Sequence, residues 1–298
     1  MTVQSATRTA PPGAPGFLDP TRTVTFPSSR GAKLYGEWFA SAGAPRALAV
    51  VVHGYAEHCG RYREVAHVLH RAGLAVLTFD LRGHGRSTGQ RGHVEEFGDY
   101  LDDLDAAIGQ VIALGGKDRP VLLVAHSNGG LIALRALSDA RRRPDVAGVV
   151  VSSPFLALRM AVPKYQEAAA PFLSWLAPRL SIPNGIKIED VTSDEGKLAE
   201  RRADTLCHGV ATARWFTEAR AAQQYVYDNA ANVAVPTLWL VSGADALANP
   251  DRTREIADRV RGPATYHALP GLKHECFNET SRDRVFGTLT TWLEGRLA

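Results

Sequence analysis

The chain has 298 residues, 45% hydrophobic and 22% charged, a balance that excludes wholesale disorder and suits one large domain or two modest ones. A net charge of only +3, with no basic stripe interleaved with aromatics, argues against a nucleic-acid partner. Three widely spaced cysteines, Cys59, Cys207 and Cys276, form no C-x-x-C motif and no disulfide framework, no stretch reaches the roughly 20 apolar residues of a membrane span, and the N-terminus has no apolar leader, so a cytoplasmic protein is expected.

Residues 1–20 are rich in Pro, Ala and Thr, carry no apolar period and read as a flexible tail. "TVTFPS" (23–28) and "LYGEWFA" (34–40) flank a Ser-Arg-Gly turn and predict a hairpin. "ALAVVVH" (47–53) is a short, wholly apolar run, as a strand buried on both faces would be. A helical spacing follows over 61–73, a strand over 74–80, and a helix over 96–116 that ends in Gly-Gly. "VLLVAH" (121–126) predicts the next strand, then a helix from about 128 to 140, then a strand at 146–153. Arg141, Arg142 and Arg143 suit a helix C-terminus, where cations complement the dipole.

Here the alternation breaks. Residues 154–233 show no convincing strand and read as an all-helical insert carrying Phe155, Leu156, Met160, Phe172, Leu173, Trp175, Leu176 and Leu180. Strands resume at 236–242 and 264–269, with helices near 249–261 and 281–296. Strands alternating with helices imply a mostly parallel sheet covered on both faces. The insert then reads as a cap over the sheet's C-terminal edge, where open α/β sheets bind ligands. The domain expectation is a core of 21–153 and 234–298 with a cap of 154–233.

Ser127 lies where the strand at 121–126 gives way to a helix, in Ala125-His126-Ser127-Asn128-Gly129. A nucleophile elbow needs small residues two positions either side of its strained serine, and Ala125 and Gly129 satisfy that. A serine capping a helix would need neither, and the stretch alone separates the two readings no further. Context does. Asp245 follows the strand at 236–242 and His274 follows that at 264–269, which is the order Ser, acid, His at one sheet edge. His274 would take the serine proton, and Asp245 would hold its tautomer. Asp251 is a rival acid. Oxyanion donors would be the backbone N–H groups of Asn128 and of Tyr55, in the loop "HGYAEHCGRY". Glu57, His58, Arg61 and Tyr62 read as a hydrogen-bonded brace under that loop. No H-E-x-x-H spacing or carboxylate–histidine cluster suggests a metal, and no cofactor is expected.

"HGYAEHCGRY", "FDLRGHGRSTGQRGHV", "AHSNGG", "SGADALANP" and "GLKHE" resemble the signatures of α/β hydrolases of the monoacylglycerol lipase and lysophospholipase group, from about residue 22 to the C-terminus. The resemblance implies an α/β-hydrolase fold, a mostly parallel eight-stranded sheet flanked by helices with an inserted helical cap. It implies Ser127 as nucleophile, Asp245 and His274 as partners, and Tyr55 and Asn128 as oxyanion donors. Asp80, Arg82 and His84 match a structural turn of the family. The family usually has Gly at the position of Ala125 and Met at that of Asn128.

The substrate expectation is an ester with one medium or long acyl chain, monoacylglycerol being the type. Phe155, Leu156, Leu173, Leu176 and Trp215 are the candidate pocket residues, and the same apolar groups also suit packing of the cap onto the core. A lysophospholipase, an acyltransferase and an aminopeptidase are rivals on one triad. The last would need carboxylates for a substrate ammonium, and Glu189, Asp190, Asp194 and Glu195 are the candidates. A rival of another class is a non-catalytic small-molecule binder. An apolar cap surface would also allow transient contact with a lipid surface; the oligomeric state is left open.

Overall fold

A computed structural model describes residues 18–297, so most of the tail expected over 1–20 lies outside the described residues. The first strands, β1 (Arg22–Pro27) and β2 (Lys33–Phe39), form the expected antiparallel hairpin. There follow β3 (Ala47–Val52), α1 (Arg63–Arg71), β4 (Leu74–Phe79), α2 (Gly98–Gly115), β5 (Val121–His126), α3 (Asn128–Ser138) and β6 (Gly148–Ser152). The inserted segment holds α4 (Lys164–Leu176), β7 (Ser181–Pro183), α5 (Glu195–Ala203), β8 (Val210–Thr212) and α6 (Ala213–Asn229). β9 (Thr237–Ser242), α7 (Pro250–Ala257), β10 (Ala264–Leu269) and α8 (Arg282–Leu297) complete the chain.

Eight strands form one sheet in the order β1-β2-β4-β3-β5-β6-β9-β10, parallel from β4 to β10. The runs forming β3 to β6 and β9 are buried at every position because helices cover both sheet faces. Alternation sorts their side chains: Leu48, Val50 and Val52 join Leu104 of α2 and Leu134 of α3, while Ala49 and Val51 meet Leu69 of α1 and Leu289 of α8. β3 has β4 on one side and β5 on the other. That reversal of strand order opens a crevice at the carboxyl ends, beside Ser127.

Two expectations are corrected. The insert is not all helical: β7 and β8 pair antiparallel, Ser181 with Thr212 and Pro183 with Val210. Three-residue strands are too short to show a period-2 pattern. The three arginines do not end a helix, since α3 stops at Ser138. Arg142 instead binds Asp102 and Asp105 on α2.

Candidate active site

Ser127 sits between β5 and α3 at φ 50°, ψ −114°, a conformation costing a non-glycine residue about 1–3 kcal/mol. Its surroundings hold it there. Its N–H donates to Ser152 O at 3.0 Å, and its carbonyl accepts from Leu131 N and Phe155 N at 3.0 and 2.9 Å. Gly129 is required by close approach: a Cβ there would lie 2.3 Å from Val52 O and 2.6 Å from His53 O. Ala125, buried between Val52 and Val151 across the sheet, has room for its methyl. The Ser127 hydroxyl caps nothing. The cap reading of this serine therefore fails.

The hydroxyl lies 2.8 Å from His274 Nε2, and His274 Nδ1 lies 2.7 Å from Asp245 Oδ2. Asp245 Oδ1 accepts from the amides of Leu247 and Ala248 at 2.8 and 2.9 Å, which aims its other oxygen at the imidazole. A carboxylate at Nδ1 keeps the proton there and leaves Nε2 to accept. Burial alone would lower the His274 pKa, but the Asp245 carboxylate together with Glu275 and Glu57 outweighs it, and the net shift is upward from 6.5. Burial opposes ionisation of Asp245, and the partner imidazole with two backbone donors holds its pKa below 3.8. Asp251, the rival acid, is exposed at the start of α7.

The loop after β3 lies across from Ser127. Among the described residues, no backbone acceptor meets the amide of Tyr55 or of Asn128, leaving both N–H groups open for a ligand. The Tyr55 ring stacks on Trp215 at 3.7 Å, and its hydroxyl donates to Val210 O at 2.9 Å. The expected brace is present and longer than expected. Glu57 accepts from Gly54 N and the Tyr62 hydroxyl, both at 2.6 Å, and pairs with Arg61 at 3.1 Å. Arg61 reaches on to Glu275. His53 accepts from Leu81 N at 3.0 Å, and Asp80 accepts from Cys59 N at 2.7 Å, so the turn at 80–86 supports the same loop.

His58, Asp204 and Cys207 place three possible ligand atoms within 4.8 Å of one another. The Gly60 N–H donates to His58 Nδ1, so Nε2 carries the ring proton and donates to Asp204 at 2.6 Å. A metal-bound imidazole needs that nitrogen bare and donates from the other. The geometry is that of a hydrogen bond tying the insert to the loop after β3.

A cavity of ≈ 300 Å³ opens from Ser127 and His274 under the insert. Of the candidate pocket residues, Phe155, Leu173 and Trp215 line it. Leu156 and Leu176 do not. Leu156 is 2% exposed within the main core, against which Phe155 packs while also lining the cavity. Leu176 is 59% exposed. The inner face of α4 carries Ala169, Ala170 and Leu173; Leu176 lies on the same side by helical spacing but is the last residue of the helix, beyond the cavity.

The chain matches the family model "Serine aminopeptidase, S33" over residues 43–281. It is 33% identical over 254 residues to "Phospholipase YtpA" of Bacillus subtilis, covering 84% of this chain and 95% of that one. It is 32% identical over 258 residues to the monoacylglycerol lipase of Mycolicibacterium smegmatis, covering 85% and 90%. The solved Paleococcus ferrophilus monoacylglycerol lipase superposes with a TM-score of 0.80 at 28% identity, covering 88% of this chain and 99% of that one. The chain belongs to the S33 family. It is a serine hydrolase of the α/β-hydrolase fold, and the non-catalytic binder is set aside.

The S33 family name raises the question of an ammonium site. None of Glu189, Asp190, Asp194 and Glu195 lines the cavity. Glu189 pairs with Arg202, and Asp194 caps α5 and binds Arg282. The carboxylates that do line it, Glu57 and Glu275, were not anticipated in that place, nor was Arg201. Glu275 follows His274 directly in "GLKHE", which was a usable signal. Arg201 sits in a charged helix with no motif.

Proposed function

We propose that this enzyme hydrolyses carboxylic esters carrying one medium or long acyl chain, monoacylglycerol being the type substrate, through an acyl-enzyme on Ser127. The observation that carries the reading is the Ser127–His274–Asp245 relay opening into a cavity walled by Phe155, Leu173, Trp215 and further apolar side chains. Ser127 Oγ attacks the ester carbonyl while His274 Nε2 takes its proton. The oxyanion accepts from the open amides of Tyr55 and Asn128. His274 then protonates the leaving alcohol, and water repeats the sequence to free the acid. The upward shift of His274 places the acid limb of activity above pH 6.5: as pH falls through it, the base is protonated and the rate is lost.

The names of the relatives, a phospholipase and monoacylglycerol lipases, favour lipid esters. A lysophospholipase uses the same site, and an acyltransferase would admit an alcohol in place of water. An aminopeptidase is disfavoured because each glutamate lining the cavity is already paired with arginine. We read 21–153 and 234–298 as the catalytic core and 154–233 as its cap. Phe172, Trp175, Leu176, Leu180 and Ile182 are exposed on that cap and would meet a lipid surface transiently. No helix among the described residues is long and apolar enough to cross a membrane. Three free cysteines support a cytoplasmic site of action.

The test is fluorophosphonate labelling of native protein beside Ser127→Ala, followed by a panel of glycerol esters. Labelling that vanishes in the variant, with long-chain monoacylglycerols preferred, is expected. Far faster turnover of short, water-soluble esters at equal concentration would overturn the substrate class.

A further inference from the structure

A continuous buried ion chain runs from the oxyanion loop into the insert. Glu57 Oε1 holds the Gly54 N–H, one peptide before the Tyr55 amide, and Glu57 Oε2 meets Arg61 Nε at 3.1 Å. Arg61 Nη2 donates to Glu275 Oε2, and Arg201 Nη1 on α5 donates to Glu275 Oε1 at 2.9 Å. The Glu275 amide also donates to Val191 O in the insert at 2.7 Å, and Asn278 donates to the Glu275 carboxylate at 2.8 Å. All four ionic side chains are 9% exposed or less, and their formal charges cancel. Such a network holds together as a unit, because losing one member strands a buried charge.

We infer that this chain couples the seating of the insert to both halves of the active site, with Arg201 and Glu275 as positioning residues that set the oxyanion loop and the base His274 together. The inference rests on Ser127 as the nucleophile. The charged or titratable groups facing His274 are Asp245 from the loop after β9, its own neighbour Glu275, Glu57 from the oxyanion loop and His126 from the end of β5. Arg61 and Arg201 act on it through the two glutamates. With α5 seated, Glu275 is compensated twice. With α5 displaced, Glu275 keeps one arginine, its charge stabilises the imidazolium, and His274 becomes a poor base near neutral pH. The ordered insert is thereby required for a working base as well as for the cavity wall.

The experiment measures fluorophosphonate labelling rate against pH for native protein, Arg201→Met, Glu275→Gln, the double variant and Arg201→Lys. Arg201→Met is expected to move the acid limb up by ~0.5–1 pH unit and slow labelling at pH values below the limb by about 3–10-fold. Glu275→Gln is expected to move the limb down, the double variant to bring it back towards the native position, and Arg201→Lys to keep it there. Native limbs and rates in Arg201→Met and Glu275→Gln, with only thermal stability lowered, would reduce the chain to a structural brace and overturn the inference. Should Arg201→Met fail to fold, the Glu275→Gln limb decides alone: down supports the coupling, unmoved overturns it. Native protein that does not label overturns the nucleophile reading, and this one with it. Labelling that shows no shift in the variants overturns the coupling alone.

Discussion

At the sheet edge, the Ser127 hydroxyl, both ring nitrogens of His274 and both oxygens of Asp245 all have partners within 3 Å, and all three residues are buried. Across the cavity, α4 of the insert turns outward three large side chains, Phe172 at 59%, Trp175 at 74% and Leu176 at 59% exposure. One region is over-determined by hydrogen bonds. The other leaves apolar area in water that no contact within the chain requires. The comparison separates geometry that chemistry needs from surface that encounter needs, and substitutions in the two regions should fail in different ways.

The sheet edge breaks hardest. Asp245→Asn keeps the shape but presents an amide to His274, so the imidazole loses its fixed tautomer. Turnover should fall on the order of 10³–10⁴-fold with little change in KM. Steady-state kinetics on a soluble ester would check it, and a loss under tenfold would mean Asp251 or another acid serves the base. The insert should break differently. Phe172→Ser with Trp175→Ser should weaken partition onto lipid vesicles by about 10–100-fold, since two half-inserted aromatics together bring roughly 1.5–3 kcal/mol of apolar burial. Turnover of a soluble ester should stay within about twofold. Equal losses on both substrates would place these side chains in the cavity wall after all.

The same contrast explains what could be read in advance. Core strands were legible because burial on both faces demands unbroken apolar runs, and β5 falls on the expected residues. Ser127, Asp245 and His274 were legible because each ends a strand at one edge. The insert resisted. Three-residue β7 and β8 carry no period, and apolar residues on α4 look alike whether they face cavity or water. Leu173 and Leu176 share a helix face and differ by one turn along it, and only tertiary packing decides that the cavity ends between them. Arg201 and Glu275 meet across 74 positions, a pairing no local pattern encodes.

Asn128, next to the nucleophile, departs from satisfied polarity at both side-chain atoms and gives the smallest expected effect. Its residue is 0% exposed, and among the described residues neither Oδ1 nor Nδ2 has a hydrogen-bond partner. A buried amide without partners costs ~1–3 kcal/mol. Its proposed catalytic part is the backbone N–H, which any residue but proline supplies. Asn128→Leu, similar in size and branching, removes the orphaned dipole and keeps that donor. It should raise stability by ~1 kcal/mol or more, about 2–4 °C in Tm for a chain of this size, with the fluorophosphonate labelling rate within about threefold. Calorimetry and labelling on one preparation would check both. A lower Tm would show that the amide is compensated in the folded protein. An unchanged Tm with slowed labelling would assign the side chain a part in shaping the oxyanion site, and the strain of the elbow would then be shared between Ser127 and its neighbour.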